Sequence, residues 1–186
     1  PSVAARRRSR RTSSPDEGWG SPRTSDAVGP RPVVDGDLLI VNWDHEGGSF
    51  LYAFDKRTGR ERWKVARDDT TSWATPLVVS HGGRKQVVIS ATKRVRGYEL
   101  ETGQLIWECA GLSRNVVSSP VAANGMVIAG NSYDWQAMLA IRLEGAKGDI
   151  TETDRVAWRL NRMTPYVSSP LLYGDTLYFL RHNQNI

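Results

Sequence analysis

Hydrophobic positions along this chain come in short runs that alternate with polar residues, not at helical spacing. From residue 33 the runs VV, LLIVNW, FLYAFD and RERWKV (33–34, 38–43, 50–55, 60–65) are separated by polar turns such as Asp35-Gly36-Asp37. Runs rich in β-branched and aromatic residues, bounded by Gly, Asp and Asn, read as strands. The i, i+3, i+4, i+7 pattern of an amphipathic helix is absent. These first four runs predict a four-stranded antiparallel meander, and the chain as a whole reads as all-β.

The same pattern then recurs. A second unit runs LVVS, QVVISA, VRGYEL, QLIWEC (77–80, 86–91, 95–100, 104–109), and a third runs from Val121 through MVIAGN, AMLAIRL and VAWRL (126–131, 137–143, 156–160). A fourth opens at Pro170 with LLY and GDTLYFL, and the sequence stops at Ile186, in mid-unit. The period is 44 residues by independent markers: Trp63 to Trp107, Gly59 to Gly103, and Pro32 to Pro76 to Pro120. The next interval is longer, 51 residues from Trp107 to Trp158, and the surplus falls in the polar segment EGAKGDITETD at 144–154, read as a loop insertion. Repeats of about 40–50 residues built from short strands indicate propeller blades, each burying its apolar face only by stacking on the next. The blades are expected at about 32–68, 76–112, 120–160 and, incomplete, 170–186. Glycine stands at one turn position in Asp55–Gly59 and Glu99–Gly103, where a positive φ is expected.

The pattern D-x-x-TG-[RQ]-x-x-W, present as Asp55, Thr58, Gly59, Arg60 and Trp63 and in variant form as Glu99, Thr102, Gly103, Gln104 and Trp107, resembles the tryptophan-docking repeat of the quinoprotein-like (PQQ-type) β-propellers. The resemblance covers about residues 32–186. The third copy departs, because Leu143-Glu144-Gly145 and the insertion replace the turn. It implies a partial propeller of about three and a half blades, where such rings close with seven or eight. It also implies that Trp63, Trp107 and Trp158 pack between neighbouring blades.

Charge changes the picture only at one end. Of the formal net +5, residues 1–31 supply +4, from seven arginines against Asp16, Glu17 and Asp26. That stretch is poor in apolar residues and rich in Ser, Pro and Arg, so it reads as a disordered basic tail, 1–31, preceding the repeats. No aromatic or helical recognition element accompanies the arginines, so nucleic acid is not the expected partner. No apolar stretch follows them as in a signal peptide, and no run reaches the ~20 apolar residues of a transmembrane helix. Cys109, alone in the strand LIWEC, reads as a small buried hydrophobe.

In a propeller the turns between second and third strands and the connections between blades emerge on one face. That rule gathers Trp43, Asp44 and His45, then Arg94, then Tyr133 and Trp135 from the turns, and Trp73, Asn115 and Tyr166 from the connections. Aromatic and polar groups converging on one rim suit a small flat ligand or a peptide. Asp44-His45-Glu46 is no metal site by spacing, since no second His or Cys cluster accompanies it. Thr75, Ser119 and Ser169, each before a proline, recur from the second unit onward and are expected to tie the connection to the innermost strand.

The resemblance implies two functions. One is a noncatalytic, exported propeller, similar to the bacterial outer-membrane assembly lipoproteins, that presents its loops to protein partners and needs no cofactor. The other is a fragment of an alcohol or sugar dehydrogenase using PQQ and calcium, in which a vicinal Cys pair and carboxylates serve the cofactor. The single cysteine favours the first. A periplasmic or secreted location follows from the resemblance alone.

Overall fold

The computed structural model describes residues 30–181; the expected basic tail lies almost wholly, and the end of the expected fourth blade from residue 182 wholly, outside them. The elements are strands throughout. Blade 1 is β1 (Val33–Asp35), β2 (Leu38–Trp43), β3 (Ser49–Asp55) and β4 (Glu61–Arg67), antiparallel in chain order. Blade 2 is β5 (Leu77–His81), β6 (Arg84–Ala91), β7 (Arg94–Glu99) and β8 (Leu105–Ala110). Blade 3 is β9 (Val121–Ala123), β10 (Met126–Asn131), β11 (Ala137–Arg142) and β13 (Val156–Leu160), and a last hairpin pairs β14 (Leu171–Tyr173) with β15 (Thr176–Tyr178). No helix among the described residues is long and apolar enough to cross a membrane.

Alternation drives the packing. One face of blade 1, with Leu38, Ile40, Leu51 and Ala53, packs on Val87, Ile89, Tyr98 and Leu100 of blade 2. The opposite face of blade 2, with Val88, Val95, Trp107 and Cys109, packs on Val127, Ala129, Leu139 and Ile141 of blade 3. Each blade is thus buried on both sides only where it has two neighbours, as stacked repeats require.

The docking strands share a detail that the repeat period alone does not reveal. Trp63, Trp107 and Trp158 lie opposite Ala53, Gly97 and Ala140, and each of these small residues is followed by a break in register. A bulge after a small residue bends the outer strand and makes room for the indole. At Gly97 the room is essential, because a Cβ would run into the Trp107 ring. Gly59 and Gly103 adopt φ of 71° and 72°, the left-handed conformation expected of that turn. In the first turn the Asp55 carboxylate accepts the Thr58 N–H at 2.9 Å and its hydroxyl at 3.0 Å, and these bonds hold its pKa below the usual range.

Two expectations are corrected. The surplus at 144–154 is not merely a loop: Gly148–Asp149 forms β12, which adds in parallel to the outer edge of β8. Ile150 donates its N–H to Glu108 O at 2.9 Å and is 2% exposed, so an apolar anchor seals an edge that would otherwise present unpaired backbone groups. The hydroxyls before the prolines do not bond their own strand. Ser119 Oγ accepts the Thr75 N–H and Ser169 Oγ accepts the Ser119 N–H, both at 2.9 Å, so each connection is tied to the next blade's.

Candidate functional site: the loop face

The turn after each β2-type strand and a neighbouring connection between blades do converge, in pairs. Asp44, just past β2, accepts Ser72 Oγ–H at 2.5 Å and Asn42 Nδ2–H at 3.0 Å. Thr92, in the next turn, donates to Thr71 O at 3.2 Å. Asp134 forms a two-pronged pair with Arg114, 2.7 Å at the shorter contact. The Tyr133 and Tyr166 rings lie 5.8 Å apart, and the Arg114 guanidinium lies 5.8 Å from the Tyr133 ring centre.

The remaining expected residues divide between support and display. His45 accepts the Gly47 N–H on Nδ1 at 2.9 Å and meets Trp43 edge-on at 5.5 Å. The Trp73 N–H goes to Val116 O at 2.7 Å, stitching two connections together. Asn115 holds a positive φ of 54°, a turn role that asparagine fills readily. Tyr133 and Trp135 are about half exposed, and the Trp135 Nε1–H points to Gly111 O.

Sequence reasoning missed the dominant feature, a chain of ion pairs buried between blades 1 and 2. Arg67, closing β4, has no exposed side-chain surface and contacts Asp44 at 3.1 Å and Asp69 at 2.6 Å. Asp69 also meets Arg96 of β7 at 2.7 Å, and Arg96 reaches Glu108 of β8 at 3.0 Å. Arg94 joins Glu108 at 2.9 Å. Burial pushes the Asp69 carboxyl up, and the pull of Arg67 and Arg96 does not overcome it. At Glu108 partial burial works upward too, but hydrogen bonds from Arg96 and Arg94 prevail and hold it below the usual range. Burial raises the Tyr98 hydroxyl that Arg67 touches at 3.4 Å.

Above this network opens a cleft of about 210 Å³, lined by Asp68, Asp69, Thr70, Thr92, Lys93, Arg94 and Arg114. Asp68 and Asp69 are paired with Arg96, Asp69 also with Arg67, Arg94 with Glu108 and Arg114 with Asp134, so most of its charges already have a partner beyond its lining. The residues do not fit a quinone with calcium. Cys109 is buried in β8 with its thiol pushed up to about 11 by burial, and no vicinal partner stands beside it. Asp44, Asp69 and Glu108 spend their oxygens on arginines, and no group of three or more His, Cys, Asp or Glu is disposed to hold a metal among the described residues.

Comparison with known proteins agrees with this architecture. In solved structures the chain is similar to BamB from Moraxella catarrhalis, at 20% identity and TM-score 0.51 over 77% of this chain and 39% of that one. It is similar to the quinohemoprotein alcohol dehydrogenase ADHIIG from Pseudomonas putida HK5, at 19% identity and TM-score 0.53 over 74% of this chain and 21% of that one. A curated relative, the serine/threonine-protein kinase AfsK of Streptomyces coelicolor, is 28% identical over 129 residues, 68% of this chain and 14% of the kinase. The chain therefore spans well under half of each of these relatives. The family model described as outer membrane protein assembly factor BamB matches residues 12–186, and with its repeated four-stranded blades the chain belongs to that family of PQQ-like β-propellers.

Proposed function

We propose that this chain is part of an exported, noncatalytic propeller whose loop face binds a protein partner. The observation that carries the reading is the mutual neutralisation of the loop-face charges. Asp44, Asp69 and Glu108 are each held by arginine, and carboxylate oxygens so occupied are poor ligands for a hard cation. What faces outward is aromatic and adaptable: Tyr133 and Trp135, flanked by Arg114 and Tyr166. Aromatic and arginine side chains on a supported rim are the usual anchors of protein interfaces. Trp43, His45, Trp73, Arg94 and Asn115 shape that rim, while Trp63 and Trp107 serve docking between blades and Trp158, on the outer strand of blade 3, is 39% exposed. The family's description as an assembly factor of the outer membrane supports the extracytoplasmic location.

The structural likeness to alcohol dehydrogenases favours a second reading, a segment of a PQQ- and calcium-dependent enzyme whose cofactor set lies outside these blades. The AfsK likeness adds that a related stretch of sequence also occurs in a serine/threonine-protein kinase.

A photo-crosslinking amino acid in place of Trp135, in the native host, tests the first reading. A discrete crosslinked protein in the extracytoplasmic fraction, lost on Arg114→Ser with Tyr133→Ser, is expected. Crosslinks that are diffuse, or unchanged by those substitutions, would contradict it.

A further inference from the structure

Blade 1 offers blade 2 a tryptophan, and blade 2 offers that indole a socket. Trp63 of blade 1 donates Nε1–H to Leu100 O at 3.0 Å, and a Cβ on Gly103 would sit 2.6 Å from the indole Cε3. The glycine turn of blade 2 is thus cut away to receive an indole. The same turn in blade 1 carries Gly59, with the same φ to within a degree, yet a Cβ there would meet nothing within 4 Å among the described residues. Behind that turn Phe50, Tyr52 and Phe54 of β3 form a row of half-buried rings, 5.8 and 5.4 Å apart. The residues in the place of Phe54 in blades 2 and 3, Tyr98 and Ile141, are 2% and 0% exposed because a neighbouring blade covers them.

We propose that this face of blade 1 is the docking surface for the segment around Trp19, and that the Trp19 indole fills the Gly59 socket. Trp19 precedes Trp63 by 44 residues, the interval from Trp63 to Trp107. It stands 13 residues before Pro32, as Trp63 stands 13 before Pro76 and Trp107 13 before Pro120. Arg23 repeats the place of Arg67, four residues past the tryptophan. The family match begins at residue 12 and so takes in Trp19 independently of this register. Propeller sequence then begins near residue 12 instead of 32. The basic stretch shrinks to the arginines at 6–8, 10 and 11.

Hydroxyl-radical footprinting of the full chain, reading Trp19, Trp107 and Trp158 by mass spectrometry, tests this. Trp19 is expected to oxidise several-fold more slowly than in the urea-unfolded chain. In Gly59→Asn, asparagine tolerates the left-handed backbone while its Cβ takes the place of the indole. Trp19 should then oxidise at the unfolded rate while Trp107 stays protected, which also shows that the variant is folded. The proposal is overturned if Trp19 in the parent reacts at the unfolded rate beside a protected Trp107, or if its protection survives Gly59→Asn. It is equally overturned if protection rises with protein concentration and disappears in Trp158→Ala, since the socket would then belong to a second copy.

Discussion

The two complete blade interfaces solve one packing problem by different means. Between blades 2 and 3 the contact is apolar almost throughout, with Val88, Val95, Trp107, Leu139 and Ile141 fully or nearly buried. Near the loop face it is finished by uncharged hydrogen bonds from Ser113 to Asn131 and from Asn131 to Arg114 O. Between blades 1 and 2 the apolar cluster stops short, and Arg67, Asp44, Asp69 and Arg96 complete the interface. A buried ion network offsets its desolvation only while each charge keeps its partners. The interface between blades 1 and 2, the first along the chain, is therefore brittle toward single charge changes and pH, whereas the interface between blades 2 and 3 responds chiefly to volume.

The largest expected effect follows from that difference. Arg67→Met leaves Asp44 buried without a cationic partner and Asp69 with Arg96 alone, and breaking a buried pair in this way costs about 3–5 kcal/mol. A large drop in the urea midpoint should result. Replacing Asp44 and Asp69 by asparagine in the same chain should restore part of it.

Leu139→Ala, at the apolar interface, is next, at about 2–4 kcal/mol for the lost burial and the cavity. Its cost should stay constant from mildly acidic to neutral pH, since the one thiol in its apolar cluster, Cys109, is pushed up to about 11 by burial. Trp107→Phe is smaller. It leaves Gln86 Oε1 without its 2.8 Å donor, a loss of about 1–3 kcal/mol measurable by the same unfolding curves.

The pH dependence of the first interface has two opposed parts. Glu108, held low, contributes stability above its unfolded value that is lost as pH falls through its folded value. Asp69, raised by burial, contributes stability below its unfolded value that is lost as pH rises through its folded one. Carboxyl NMR should find Asp69 titrating above, and Glu108 below, the ordinary carboxylate range. Glu108→Gln should shrink the loss of stability between pH 6 and strong acid. The smallest stability effect belongs to Arg114→Ser, whose exposed pair with Asp134 should leave the melting temperature almost unmoved while weakening partner binding at the loop face.

The strands were legible because alternation and a 44-residue period repeat the same message, and most edges fall within a residue or two of the expected ones. Turn glycines were legible because a left-handed φ leaves few alternatives. The edge strand β12 was not, because Gly148–Asp149 carries no strand propensity and its pairing depends on an edge remote in sequence. The ion network left a signal that alternation alone does not weigh: Arg96 inside VRGYEL and Glu108 inside LIWEC are charges in otherwise apolar strands. The run Arg67-Asp68-Asp69 closes the strand that faces them. Reading those charges requires knowing which blades are neighbours, and the repeat supplies that. At the loop face the sequence indicated which turns and connections meet. It did not indicate that the carboxylates there are already taken.

Titration of the native full-length protein with PQQ in the presence of calcium, followed by calorimetry, addresses that last point most directly. A loop face whose carboxylates are committed to arginines should show no saturable uptake of the quinone. Stoichiometric binding accompanied by dye-linked alcohol oxidation would contradict the scaffold reading and make these blades part of a dehydrogenase.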